Sequence, residues 1–562
     1  MNINLKEYFG SYKYTNVGIL NKYISALDQK VNKYYNFGKP FFKGSHELNY
    51  KEYLKNCELN YEPLTAESTF EYISPLYQNL PNWNNPGTMI NVIPPVNLVS
   101  MASVSFTELY NPNLAQDTYA GLLAISELEV TKYISDLVMW NWQKSMGIFT
   151  FGGKGTNLYA TKIALTKACP ETKNSGCEKN KYFMVTSQNA HPCHYEVCNW
   201  LGIGKDNCIE VKCNNDGTIN LQETEKTICS NIENGKIFLG FNLNGGSTNE
   251  LTIDPIKQIS ELNAKIVNKY KLSYVPHIHV DSVLGWIYLF FNNYDYEMNQ
   301  INIDKKYLTK IQNLNKKVKE FEYADSLGID FHKTGFCPYV SSLFIVKDKS
   351  DFYVLNPDKE LELDELHYGN YNPFETTLEL TRSAGGAIAA LTTLKSLGIK
   401  GFQEIIANMF AATESFRELL SKNYNICMIN SDAEWLTTLF ILKPEKYKNL
   451  TLQEIIKLDE TDIQQIKEYN INYAKYILEN GKNGKISFTF TSSRSYKIPN
   501  TNIKLGVLKA YPMSVFLNNS EAEKLVKDIS ASIEEYKSNL EKVKNIKISP
   551  ISDEMVYRER KN

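Results

Sequence analysis

Between about residues 146 and 350, apolar residues fall into short runs separated by stretches of helix length. The runs YFMVTS (182–187), KIFLGFN (236–242), HIHVDS (277–282) and SSLFIV (341–346) predict strands. Strands alternating with helical segments predict a parallel sheet covered by helices. Just before them, the spacing predicts a helix from about Ser126 to Trp142. Residues 1 to about 95 have a helical and irregular pattern, and Pro81, Pro86, Pro94 and Pro95 break regular structure at its end. Beyond about residue 400, helical stretches such as EEYKSNLEKVK mix with strand-like runs such as KISFTFTSS. The expected organisation is α/β: an arm at 1–95, a large domain at 96–400 and a smaller C-terminal α+β domain at 401–562.

With 562 residues, 43% of them hydrophobic, the chain can bury a deep core and a closed site. A formal net charge of -2 gives no overall attraction to nucleic acid or anionic membranes. Ten cysteines are present without a Cys-x-x-Cys pair, and Cys193/Cys198 and Cys208/Cys213 lie outside the usual zinc spacing, so no metal is expected. The opening MNINLKEYFGSYKYTN lacks the apolar centre of a signal peptide. The longest apolar run, near Trp286 to Phe291, is too short to span a bilayer. A cytoplasmic protein without nucleic-acid or membrane partners is expected.

Four segments draw attention as chemistry. In FTFGGKGTNLYATKIAL (149–165) a strand-like end meets Gly152-Gly153 and then a helix, an arrangement whose backbone N–H groups suit an anion, with Lys154 able to add charge. Alone, it is as readily a simple turn, and it lacks the Gly-Lys-Ser/Thr of a P-loop. In VTSQNAHPCHYEVCNWLGIG (185–204), His191 and His194 follow a strand end, where α/β sheets place ligands. Either histidine could instead be structural. In VPHIHVDSVLGWIYLFF (275–291), Asp281 ends a very apolar strand, where a carboxylate needs a cationic or hydrogen-bonding partner. In ADSLGIDFHKTGFCPYVSSLFIVKD (324–348), Lys333 lies beside His332 between apolar stretches, and desolvation is expected to lower its pKa and free its amine for Schiff-base chemistry.

Taken in order, these parts resemble the group II pyridoxal-dependent amino-acid decarboxylases over roughly residues 80 to 530. The resemblance implies the aspartate-aminotransferase-like fold (fold type I) and a pyridoxal 5'-phosphate cofactor. It places Gly153, Lys154 and Asn157 in a phosphate-binding turn. His191, in the Ser-x-x-x-His segment that begins at Ser187, would stack on the pyridine ring, with Val283 on the opposite face. Asp281, in His-Val-Asp, would pair with the ring nitrogen, and Asp330-Phe331-His332-Lys333 would carry the cofactor on Lys333. NGGSTNELTIDPI would put Thr248 near the cofactor's phenolic oxygen. Three departures stand out: Val283 replaces the family's usual Ala, Lys154 replaces a hydroxyl residue, and Leu284 and Trp286 alter the Tyr-Gly-Gly that often follows the aspartate.

The resemblance further implies a homodimer with shared active sites. Thr381 would approach the phosphate from the neighbouring subunit, and Tyr368, with Tyr371 as its rival, would be the loop acid that protonates Cα. The run LKAYPMSVFLNN (508–519) is most similar to bacterial tyrosine decarboxylases, which places Ser514 at the substrate side chain and predicts an aromatic amino acid. The rivals are an acidic amino-acid decarboxylase, a carbon–carbon lyase of the sphingosine-phosphate lyase type, and a non-catalytic binding protein of the same fold.

Overall fold

The uninterrupted apolar runs become central strands because helices cover both faces of the sheet they build, leaving no strand position for water. The computed structural model describes residues 5–552 save 46–48, 357–362, 432, 435, 499–500, 502, 545 and 547. Among the described residues twelve strands are formed: β1 (Thr88–Met89), β2 (Met146–Thr150), β3 (Tyr182–Ser187), β4 (Cys208–Val211), β5 (Ile237–Asn244), β6 (His277–Asp281), β7 (Ser326–Asp330), β8 (Ser342–Val346), β9 (Ile426–Met428), β10 (Thr438–Leu442), β11 (Thr489–Lys497) and β12 (Lys504–Ala510).

Seven of them form one sheet in the order β2-β8-β7-β6-β5-β3-β4. Neighbours from β4 through β7 run parallel, and β8 is antiparallel to both β7 and β2. The register sets Asn244 beside Asp281 and Asp281 beside Gly328, so β5 and β6 end together at the sheet's C-terminal edge and β7 runs two residues further. That edge is where α/β sheets collect ligands. The second sheet has the order β1-β11-β12-β10-β9. Its strand β1 comes from the stretch expected to be irregular, and it pairs parallel to β11.

The predicted helix at 126–142 spans Ile125–Val138 and stops at Met139, whose left-handed φ of 65° lets its N–H reach back to the last turn. Trp140 then turns inward and donates its indole N–H to the Glu322 carbonyl at 3.2 Å. The helical span Gly385–Ser421, broken by a kink at Gly398, links the two cores, with Ala387 and Phe402 in the first and Phe416 and Leu420 in the second. No helix among the described residues is long and apolar enough to cross a membrane.

Candidate active site

The turn after β2 is built from two glycines with different duties. Gly152 holds φ at +128°, a region open to glycine, and sets the chain into the helix Gly153–Ala168. Gly153 is needed for approach: a Cβ there would lie 3.0 Å from Asp330 Oδ2 and 3.3 Å from Val283 Cγ1. The N-terminus of this helix has no acidic residue in its first turn, and Lys154 is exposed beside it, which together favour an anion. Asn157, expected in that anion site, faces elsewhere. Its side-chain amide donates to Asp281 Oδ2 at 3.0 Å, to the Gly153 carbonyl at 3.1 Å and to Cys193 Sγ at 3.4 Å. One helical turn carries Asn157 away from the loop and over the end of β6.

Asp281 is 8% exposed, and its Oδ1 has no hydrogen-bond partner among the described residues. Burial pushes its pKa up, but His194, His191, the Asn157 amide and Lys333 outweigh that and hold the carboxyl below its usual range. It is therefore an ionised carboxylate with one oxygen free to receive a donor. The His191 ring accepts the Cys193 N–H at Nδ1, 3.2 Å away. It is solvent-accessible in the single chain yet crowded by protein on its other sides. That desolvation, only partly opposed by Asp281, lowers its pKa to about 4.

Lys333 approaches from the turn after β7. Its Nζ lies 2.9 Å from Asp330 Oδ2. Burial acts to lower its pKa as the sequence suggested, but the charge and hydrogen bond of Asp330 exceed that effect, and the amine is raised above 10.5. The expectation of a free amine is thus corrected by a carboxylate three residues earlier. Asp330 is 1% exposed and also accepts the Ser342 hydroxyl at 2.5 Å. His332 is buried, bonded through Nδ1 to the Ser341 carbonyl at 3.0 Å, and its ring lies 4.2 Å from that of Tyr339. Tyr339 escaped the sequence reading, because a single tyrosine six residues past a lysine carries no periodic signal.

Thr248 is half-buried and its carbonyl accepts the Thr437 hydroxyl at 3.1 Å, tying this loop to the second sheet. Ser514 is 2% exposed, with its hydroxyl donated to the Asn84 carbonyl at 3.0 Å. Thr381 and Tyr368 are exposed. Tyr371, the rival loop acid, points inward and donates to Glu127 Oε1 at 3.0 Å, which fixes it as part of the loop's anchor. Glu127 also pairs with the buried Arg382.

Cys193, His194 and Asp281 could present three metal-ligand atoms within 4.8 Å of one another. Burial, however, pushes the Cys193 thiol far up, and a protonated thiol is a poor ligand. Pyridoxal 5'-phosphate fits these residues. A buried carboxylate oxygen without a partner suits a protonated ring nitrogen, Lys333 offers an amine for an aldehyde, and the Gly152-Gly153 turn at a helix N-terminus suits a phosphate.

Residues 56–305 match the pyridoxal-dependent decarboxylase conserved domain. Among curated relatives, the acidic amino acid decarboxylase GADL1 of Xenopus tropicalis is 24% identical over 356 residues, 62% of this chain and 63% of the relative. The Homo sapiens GADL1 is 23% identical over 360 residues, 61% of this chain and 63% of the relative. These matches span less than two thirds of the relatives' length. Among solved structures, mouse CSAD has a TM-score of 0.74 at 17% identity, covering 92% of this chain and 99% of that one. Oryza sativa TDC with PLP and tryptamine has a TM-score of 0.72 at 12% identity, covering 93% and 100%. The likeness shows the fold: α/β, of fold type I, with a mostly parallel large sheet.

Proposed function

We propose, from the match of residues 56–305 to the pyridoxal-dependent decarboxylase domain, that this protein carries pyridoxal 5'-phosphate on Lys333 and decarboxylates an L-amino acid to its amine. The observation that carries this reading is Asp281, an ionised, buried carboxylate with one open oxygen, near enough to the Lys333 amine for the two charges to interact. When bound, the cofactor supplies an electron sink for the charge left at Cα as CO₂ departs. The chain does the rest. Asp281 keeps a proton on the ring nitrogen, and Asp330 holds the Lys333 amine and takes up its charge. His191 and Val283 would hold the ring between them, one on each face. The Gly152-Gly153 turn, with Lys154, holds the phosphate, while Thr248 meets the phenolic oxygen. Two chains share their sites, Thr381 of each reaching the other's phosphate and Tyr368 returning the proton to Cα.

For substrate, an aromatic side chain is the first reading. Its support is the run 508–519, where Met513 and Ser514 stand in the region that, by the family resemblance, carries an arginine in glutamate decarboxylases. A pocket without a cation binds a distal carboxylate poorly. The second reading is an acidic amino acid, favoured by the GADL1 relatives. Amine formation from an equimolar mixture of L-amino acids, followed by separate kcat/KM measurements, separates them. The expected result is tyrosine or a close analogue ahead of glutamate and aspartate by at least tenfold. A preference for an acidic substrate overturns the aromatic reading, and no amine from any amino acid overturns the decarboxylase itself.

A further inference from the structure

Asp281 has a neighbour that the proposed chemistry does not use. His194 is 1% exposed, and neither of its ring nitrogens has a hydrogen-bond partner among the described residues. Unmet buried polar groups are costly and call for a reason. The reason lies close by, since His194 Nε2 is 3.8 Å from Asp281 Oδ2, within ion-pair range though longer than a hydrogen bond. That same oxygen already accepts from the Asn157 amide, while Oδ1 is open. His194 reaches this place because it is the second residue of the helix Cys193–Trp200, whose start is fixed by Pro192 and by the His191 ring accepting the Cys193 N–H. A helix N-terminus disfavours a cation, so a neutral imidazole with one N–H is the form suited to this position.

We propose that His194 is a positioning residue for Asp281: its ring N–H and the Asn157 amide together hold Oδ2, and this leaves Oδ1 aimed at the ring nitrogen of the ligand. The inference rests on the reading of the site as one for pyridoxal phosphate. It predicts that the effect of His194 passes entirely through the ring nitrogen. A ligand of the same shape without that nitrogen must not feel it.

The test is binding of two compounds to the cofactor-free full-length protein. One is pyridoxal 5'-phosphate. The other is its carbocyclic analogue, in which CH replaces the ring nitrogen. Uptake is followed by absorbance and by borohydride trapping on Lys333. His194→Leu keeps the volume and removes the donor, whereas His194→Gln retains an N–H. The expected result is a tenfold or larger loss of pyridoxal-phosphate affinity in His194→Leu, partial recovery in His194→Gln, and analogue binding within twofold of wild type in both. Equal loss for both compounds would mean that His194 only packs, and an unchanged affinity for both would mean that it does nothing; either result overturns the proposal. Stoichiometric zinc retained by wild type and lost in His194→Leu would overturn it in favour of a metal site. Wild-type protein that takes up neither compound overturns the cofactor reading and this inference with it. Uptake by wild type that His194→Leu leaves unaltered removes the role of His194 alone.

Discussion

Asp281 shows how one residue's chemistry is set by its neighbours. Burial alone would protonate it; two histidines, the Asn157 amide and Lys333 keep it charged. In the proposed function, replacing it by Ala removes the group that would hold a proton on the ring nitrogen while leaving Lys333 in place. Asp281→Ala is expected to retain a borohydride-reducible label on Lys333 and to lose more than a hundredfold in kcat. Each tenfold corresponds to about 1.4 kcal/mol of barrier. Activity within tenfold of wild type would remove Asp281 from this role. This residue was legible in the sequence because a carboxylate at the end of HIHVD stands out against its apolar strand. The raised pKa of Lys333 was not, since it depends on Asp330 folding back across the turn to 2.9 Å. The orientation of Asn157 was not legible either: motif position placed it in the turn, and helical phase turned it to Asp281.

At the scale of elements, the alternation of HIHVD puts His277, His279 and Asp281 on one face of β6. Ser326 on β7 bridges the two histidines, its hydroxyl 2.8 Å from His277 Nε2 and 2.8 Å from His279 Nδ1. Strand β7 itself was missed in the sequence because SLGID alternates small and apolar residues over only five positions. The small ones are required by the helix above: a Cβ at Gly328 would lie 2.4 Å from Thr156 Oγ1. Burial lowers the pKa of His279 to about 3. The unfolded chain, with its histidines near 6.5, therefore binds more protons than the folded one between about pH 3 and 6.5. The contribution of His279 is complete above pH 6.5 and is lost as pH falls through that window. Asp254 and Asp325, raised to about 6 by burial, act in the opposite sense below pH 6. Comparing chains isolates the histidine: His279→Asn should lose less stability than wild type between pH 7 and pH 5 in urea melts. An identical pH slope would count against it. The loop anchor gives a second test. The pair Glu127–Arg382 is almost fully buried, and removing one partner of such a pair costs about 3–5 kcal/mol. Glu127→Ala should show that loss in denaturant midpoint, and a change below about 1 kcal/mol would refute the anchor.

For the whole molecule, the sequence revealed the large sheet because its strands are apolar and regularly spaced. It hid the makeup of the small one, whose first strand is a two-residue piece in a proline-rich stretch. The single chain leaves Leu98, Leu122, Leu378 and Leu380 exposed, at 80%, 69%, 67% and 67%. If the sites are shared, two chains inactive for different reasons should rescue one another. Lys333→Ala and Tyr368→Phe, unfolded together and refolded as a mixture, are expected to recover part of the amine-forming rate, and sedimentation should give a dimer. No recovery from a mixture that sediments as dimers would place Tyr368 in its own chain's site or nowhere in the chemistry.

The pairing of β1 with β11 ties the molecule's maturation to the order in which it is made. Thr88 and Met89 leave the ribosome early, and their partners Thr489 and Phe490 follow about 400 residues later. At about 5–20 residues per second that is a wait of roughly 20–80 s. All seven strands of the large sheet lie within residues 146–346 and can assemble during this interval. Met89, fully buried in the finished protein, must meanwhile stay in water or be sheltered by a chaperone. A nascent chain halted before residue 489 would thus hold a complete large sheet and an N-terminal segment with nowhere to dock.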